Sequence, residues 1–351
     1  MISSRRVVRV GNVLIGGGNP VLVQSMTKTD TRDIRATINE IYKLEDAGCE
    51  IIRVAVPDME AAEAIKEIKS GIHIPLVADI HFDPRLAIEA IKNGVDKIRL
   101  NPSNIKDKDY IKKIALLAKE HGVAIRVGAN LGSFRKRPTD VVEALLESAL
   151  NEVRLLESEN FFDIVLSIKT SNVITTIEAN EKLVQMADYP IHLGITEAGP
   201  IDESLIKSSI GIGHLLLQGI GDTIRVSITG DPILEVRAGF AILKNLGLRS
   251  KGIDVISCPM CGRTEIDVLG IVSKVKEAYG DISIPLRVAV MGCVVNGPGE
   301  AMDADVGLAG GKNSGAIFRK GKIIKVVEGE QLFEALKEEI DKYLDEALKL
   351  P

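Results

Sequence analysis

Three of the four cysteines in this 351-residue chain fall inside one stretch, residues 258–300. Cys258 and Cys261 form a C-x-x-C pair in SCPMCGRTE, where Pro259 and Gly262 shape a tight turn with open backbone amides. Cys293 lies in MGCVVNGPGEA, just past the apolar run LRVAVM. Both loops follow strand-like segments, DVIS and RVAVM, so two loop tips can close on one point. Three thiolates so placed are ligands for a soft metal centre. A structural zinc site wants a second close pair or spaced histidines, and all five histidines (His73, His81, His121, His192, His214) precede residue 215. A thioredoxin-type redox pair needs no third cysteine. The pattern therefore favours an iron–sulfur cluster with three cysteines and a fourth ligand of another kind. Glu300, at the end of the NGPGE turn, is the nearest candidate for that position. A three-cysteine zinc site stays open as the alternative. Cys49, between a helix and a strand, reads as a buried and inert thiol.

Strand-like segments that must position further chemistry recur before residue 230. They are VLVQSM (21–26), EIIRVAV (50–56), PLVADI (75–80), KIRL (97–100), AIRVGA (124–129), DIVLSIK (163–169), IHLGIT (191–196) and TIRVSIT (223–229). Each is short, rich in β-branched residues and apolar on both faces, as strands buried between a core and helices are. Helical patterns separate them at 33–47, 58–70, 84–93, 107–121, 138–158, 172–187, 201–218 and 232–246, with Asp-containing starts and glycine stops. Eight strands and eight helices in about 240 residues predict a (β/α)8 TIM barrel. The competing doubly wound sheet has a glycine-rich first turn, and TKTDTRD contains no glycine. A hairpin over 5–22 is expected to cap one end of the barrel.

Four of these strands carry a cation near the C-terminal end: Arg53, Arg99, Arg126 and Lys169. That end is the active-site face of a barrel. Charges inside apolar strands are costly unless paired or bound to a ligand, so their convergence points to a phosphorylated substrate. Asn101, Asn130, Ser171 and Ser227 stand at similar strand ends as donors to phosphate oxygens. Glu197, in GITEAG, ends the seventh strand. It can neutralise the cations or deliver a proton once a ligand has taken over their charge. Asp79 and His81 form a weaker pair, and His192 and His214 read as structural histidines.

The pattern changes after Leu248. Residues 249–252 read as a linker, so the expected division is a barrel over 1–248 and a small α+β module over 249–351. That module holds the cysteine loops, a helix from about 264 to 279, antiparallel hairpins and a closing helix with leucines at helical spacing. A net charge of −5 argues against a general nucleic-acid binder. Tryptophan is absent and aromatics make up 3%, so the core must rest on Ile, Leu, Val and Ala. No apolar run reaches the roughly 18 residues of a membrane span. The N-terminus lacks a signal-peptide pattern, and a cytoplasmic location is expected.

The order CPMCGR, then GCVVNGPGEA with its cysteine 32 positions after Cys261, and Ala304 and Asp305 beyond, resembles the 4-hydroxy-3-methylbut-2-en-1-yl diphosphate synthase family. The resemblance continues through VQSMT (23–27), RVAVP (53–57), ADIHF (78–82), IRLNP (98–102) and GITEAG (194–199), nearly the full chain. It implies reductive ring opening of a cyclic diphosphate, with one 4Fe-4S cluster per chain on Cys258, Cys261, Cys293 and Glu300. It implies a substrate-binding set of Arg53, Arg99, Arg126, Asn130, Lys169 and Ser227, with Glu197 beside the substrate. It also implies a homodimer whose cluster domains each cap the partner's barrel. The chain has no nucleotide-binding fingerprint, so electrons are expected from flavodoxin or ferredoxin. Two other classes compete: a non-redox iron–sulfur hydro-lyase acting on a phosphorylated substrate, and a non-catalytic cluster carrier, which would need no substrate pocket.

Overall fold

The computed structural model describes residues 4–349 except 81–82, 101–106, 135–137, 250–251, 281, 283, 296–298 and 300. His81, Asn101 and Glu300 therefore lie outside the described residues. The chain divides into two compact units, Met1–Arg249 and Ser250–Pro351.

The first unit opens with a hairpin, β1 (Val7–Val10) and β2 (Val13–Gly16). Eight parallel strands follow: β3 (Leu22–Met26), β4 (Ile51–Ala55), β5 (Leu76–Asp79), β6 (Lys97–Leu100), β7 (Ala124–Asn130), β8 (Ile164–Lys169), β9 (His192–Leu193) and β10 (Thr223–Ile224). They pair in the order β8-β7-β6-β5-β4-β3-β10-β9. A parallel bridge between Leu166 and Ile191, with the Leu166 N–H donating to the Pro190 carbonyl at 2.8 Å, joins β8 to the start of β9 and closes the ring. The helices between them are α1 (Ile34–Asp46), α2 (Met59–Ser70), α3 (Pro84–Lys92), α4 (Lys108–His121), α5 (Val141–Ser158), α6 (Val173–Met186), α7 (Ile201–Leu217) and α8 (Pro232–Asn245). Side chains of Asp33, Asp58, Asp83, Asp107, Asp140, Asn172 and Asp231 accept the orphan amides at their starts. Helix α5 begins three residues later than the sequence pattern suggests, because Asp140 caps it.

Strand residues alternate between two surroundings. Ile52, Val54, Ile98, Leu100, Ile125, Val127, Ile164, Leu166 and Ile168 pack outward into the helix layer. The first inward layer, Leu22, Ile51, Val77, Ala124 and Val165, meets Val8, Val10 and Ile15 of the hairpin. The hairpin thus plugs the N-terminal end of the barrel with apolar side chains. The last two barrel strands are shorter than their apolar runs. Beyond Leu193 and Ile224 the ladder thins to single bonds, such as Arg225 N–H to the Leu193 carbonyl at 3.0 Å. A side chain at Gly194 would place its Cβ 2.6 Å from the Arg225 carbonyl oxygen and 2.6 Å from Lys169 Nζ, so only glycine fits there.

The second unit is a five-stranded sheet in sequence order: β11 (Ile253–Ser257), β12 (Leu286–Met291), β13 (Val306–Gly310), β14 (Ser314–Arg319) and β15 (Lys322–Glu328). The first three strands are parallel and the last two add antiparallel. Helix α9 (Val268–Tyr279) and the C-terminal helix Leu332–Ala347 bring Val268, Val275, Leu332, Leu336 and Ile340 onto Val288, Val290 and Leu308. Helix α9 starts after the expected 264, because Asp267 caps it at Gly270. The Glu265 N–H meanwhile donates to the Gly292 carbonyl.

The hairpin plug makes a stability prediction. Ile15 is fully buried against the barrel floor, so Ile15→Ala should cost about 2–5 kcal/mol. Urea unfolding followed by circular dichroism measures it, and a loss below about 0.5 kcal/mol would mean the hairpin is not part of the barrel core.

Candidate active site

At the C-terminal ends of the barrel strands lies a cavity of about 160 Å³. Its walls include Arg53, Arg99, Arg126, Asn130, Lys169 and Ser227, all singled out from the sequence, together with Arg225, Asp79, Ser167 and Thr196. Alternation puts these side chains inside the ring: Arg53, Asp79 and Arg99 stand on neighbouring strands, and Arg99 is in register with Arg126.

Among the described residues, cations outnumber carboxylates there. Asp79, buried, accepts from Arg99 Nη1 at 3.1 Å and lies 3.7 Å from Arg53 Nε. Glu235, also buried, accepts from Arg225 Nε and Nη2 at 3.1 and 3.0 Å. Its remaining lone pairs take the Ser25 hydroxyl and the Ile228 N–H. Arg53 Nε donates its nearest bond to Met26 Sδ at 3.1 Å, a weak acceptor. Five cations thus line a cavity walled by one carboxylate, with a second behind it. Arg126, 2% exposed, leaves Nε and Nη1 without a partner among the described residues.

The energetics follow from burial and like charge. Burial pushes the Lys169 ammonium well below its usual range, and Arg126, Arg53, Arg225 and Arg99 push it further. Burial likewise lowers Arg53, to about 10, with Asp79 opposing. Arg126 is driven down by burial and then by Arg53 and Arg99. An arginine keeps its proton regardless, so the cost appears as a demand for an anion. Lys97, one alternation deeper on β6, is fully buried with no partner for Nζ among the described residues, and its charge is disfavoured in the same way. His192 sits in this field as well. Its Nδ1 pairs with Thr223 Oγ1 at 2.7 Å, but Nε2 has no partner among the described residues, so it is only half satisfied. Burial and the cations hold it neutral.

Glu197 is exposed and is not among the residues lining the cavity. It adopts left-handed backbone, φ 52°, one of four described non-glycine residues to do so. Ser171 lines a neighbouring cavity with Leu131, Phe134 and Thr170. His214 is partly exposed and pairs with Glu181 and Gln218. Asp79 serves the two arginines. Sequence reasoning passed over Arg225, although TIRVSIT shows the same inward spacing of Thr223, Arg225 and Ser227 that marked Arg53 in EIIRVAV.

The cysteine loops of the second unit are tied together by the backbone. Cys258 N–H donates to the Val290 carbonyl at 3.3 Å, and Glu265 N–H to the Gly292 carbonyl at 2.9 Å. The Gly292 N–H donates to Cys258 Sγ at 3.2 Å, which fixes the sulfur beside the second loop. Met260, between the paired cysteines, is another left-handed residue, φ 57°. The Arg263 backbone N–H, then its guanidinium, lowers the pKa of the exposed Cys261 thiol. None of the four cysteines is in a disulfide. The described side chains form no group of three or more metal ligands, and Glu300 lies outside them. Cysteine loops joined by backbone bonds, with the Cys261 thiol lowered, fit an iron–sulfur group. Cys49 is buried, and burial pushes its thiol up to about 12, so it stands apart from this chemistry.

A family model described as the GcpE TIM-barrel domain matches residues 5–240, and one described as the GcpE protein C-terminal domain matches residues 254–342. The 4-hydroxy-3-methylbut-2-en-1-yl diphosphate synthase (flavodoxin) of Caldanaerobacter subterraneus subsp. tengcongensis is 58% identical over 97% of this chain and 98% of its own. The chain belongs to this synthase family. Proteins of the same name from Thermotoga petrophila and Clostridium acetobutylicum are 55% and 54% identical over 97% and 96% of this chain, and over 99% and 98% of their own. Among solved structures, dihydropteroate synthase from Stenotrophomonas maltophilia aligns with TM-score 0.54 at 13% identity, covering 69% of this chain and 97% of that one. Type I 3-dehydroquinate dehydratase from Clostridium difficile gives 0.52 at 20%, over 69% and 97%. These two show the barrel fold alone. Among the described residues no helix is long and apolar enough to cross a membrane.

Lys169 supplies a pH test. Its pKa is low in the empty site, and a bound diphosphate must raise it. Between the empty and bound values, binding takes up a proton, so affinity strengthens as pH falls and levels off below the empty-site value. Calorimetric titration with a diphosphate ligand in two buffers of different ionisation heat should show this uptake, and Lys169→Met should lose it. Identical heats in both buffers for the wild-type protein would refute it.

Proposed function

We propose that this chain opens 2-C-methyl-D-erythritol 2,4-cyclodiphosphate by two-electron reduction and dehydration, giving 4-hydroxy-3-methylbut-2-enyl diphosphate with flavodoxin as electron donor. The observation that carries this is the convergence of Arg53, Arg99, Arg126, Lys169 and Arg225 on one cavity, where they outnumber the carboxylates among the described residues, in a member of this family. The five cations hold the diphosphate, and Asn130 and Ser227 add hydrogen bonds to its oxygens. Asp79 and Glu235 fix three of the guanidinium groups, so the site is organised before the ligand arrives. In the reaction a ring C–O bond and a C–OH bond break, a C=C bond forms, and the hydroxyl leaves as water.

Protonating that hydroxyl is the role proposed for Glu197. Left-handed backbone costs a non-glycine residue about 1–2 kcal/mol, and strain of this kind collects at functional sites. An iron–sulfur cluster held by Cys258, Cys261 and Cys293, with Glu300 completing the set, supplies the electrons and a Lewis-acidic iron when bound. The working form is a homodimer in the cytoplasm.

Anaerobic protein should carry about four irons and four sulfides per chain and should turn over the cyclic diphosphate only with a reductant. Turnover without reductant would point to the hydro-lyase reading, and one zinc without sulfide would remove the redox chemistry. For Glu197, Gln should lower turnover by about 10²–10⁴ while substrate still binds. Glu197→Gly should lose turnover equally, yet match or exceed wild-type stability by up to about 1 kcal/mol, since glycine relieves the left-handed strain. Near-normal turnover in either variant would reassign Glu197.

A further inference from the structure

Lys169 differs in kind from the arginines around it. A guanidinium keeps its proton in any protein site, whereas a lysine gives its proton up where burial and neighbouring cations make the charge costly. Both conditions hold here: burial first, then Arg126, Arg53, Arg225 and Arg99, disfavour the Lys169 ammonium. The two carboxylates nearby are engaged elsewhere, Asp79 with Arg53 and Arg99, and Glu235 with Arg225. The empty site therefore presents an uncharged amine. Lys169 lines the cavity and is only half-buried, so its nitrogen can be reached from the cavity.

The surroundings define what such an amine meets. Lys169 ends β8 in register with Asn130 of β7, and its Nζ passes over Gly194, 2.6 Å from where a Cβ would stand. Guanidinium groups from β4, β6 and β7, and from just beyond β10, make the other walls. They recognise phosphate oxygens, while an uncharged lysine beside other cations is a nucleophile toward carbonyl carbon. One cavity of about 160 Å³ thus joins a phosphate anchor to a carbonyl trap. A short phosphorylated aldehyde is the ligand class that satisfies both at once.

We propose that Lys169 captures small phosphorylated aldehydes as a reversible imine while the arginines hold the phosphate. The Lys169 nitrogen adds to the carbonyl carbon, and one of its protons passes to the carbonyl oxygen. A second proton, from solvent, lets that oxygen leave as water, and a C=N bond replaces the C=O bond. No electrons change hands, and the iminium carries the positive charge that a bound phosphate favours. The captured form fills the cavity, so these aldehydes inhibit the site. This reactivity lies outside the ring-opening reaction and rests only on the reading of the cavity as a phosphate site.

The test treats the anaerobically purified full chain with glycolaldehyde phosphate and cyanoborohydride, whose hydride turns the iminium into a stable secondary amine, and maps the labelled peptides by mass spectrometry. Near pH 7, Lys169 should be labelled at least about tenfold faster than the exposed Lys66 and Lys112, since each unit of pKa depression raises the uncharged fraction about tenfold. Glycolaldehyde without phosphate should label it at least about tenfold more slowly than the phosphate ester, because the anchor is lost. Saturating inorganic diphosphate should protect it, and Lys169→Arg should lose the fast labelling. Should that variant fail to fold, rate, phosphate dependence and protection in the wild-type protein decide alone. Labelling of Lys169 no faster than Lys66, or indifferent to the phosphate, overturns the inference. Calorimetry with inorganic diphosphate separates the two readings. If diphosphate binds and Lys169 is not preferentially labelled, the amine trap falls and the phosphate site stands; if diphosphate does not bind, both fall.

Discussion

Repulsion among buried like charges is the constraint around which the first unit is organised. Arg53, Arg99, Arg126, Lys169 and Arg225 face one cavity inside a ring of apolar strands, where low dielectric strengthens every pairwise term. Asp79 and Glu235 compensate part of it and lock three of the arginines in place. Among the described residues the remainder stays uncompensated at Arg126 and Lys169. A protein tolerates such a site only if the rest of the fold supplies the stability and a ligand supplies the missing charge.

The barrel meets both conditions. Parallel strands in register bring inward side chains from neighbouring strands to one level, so the cations converge without any loop having to place them. The floor is sealed by Val8, Val10 and Ile15, and the outer layer by aliphatic contacts with helices started by aspartate caps. Gly194 shows how tightly the level is built, since the Lys169 ammonium passes where its side chain would be. In the second unit the same economy holds the cysteine loops, where backbone amides rather than side chains tie Cys258 to the Gly292 turn.

Much of this was legible in the sequence, for identifiable reasons. Barrel strands buried on both faces read as continuous apolar runs, and arginines inside them stand out. Helix starts were legible because aspartate caps are local chemistry. What escaped depended on contacts between distant residues. Asp79 reads in the sequence as a weak pair with His81, which lies outside the described residues; that the ring also sets it against Arg53 and Arg99 depends on strands far apart in the chain. Arg225 was hidden because its buried partner, Glu235, lies on the following helix. The true lengths of β9 and β10 depend on how the last strands meet at Gly194, which no apolar run reveals. Glu197 was legible as a strand-end carboxylate, but its left-handed backbone was not.

We propose that Arg126 is kept in its like-charged surroundings for the sake of an anionic ligand. Arg126→Met retains most of the side-chain volume and removes the charge, so melting curves with and without the cyclic diphosphate test the claim directly. The empty variant should melt higher than the wild-type protein, as replacing an ill-compensated buried charge by an apolar side chain commonly does. Its ligand-induced rise should be much smaller, since that rise measures binding to the folded state. An empty variant that melts lower and a ligand-induced rise equal to that of wild type would together contradict the account.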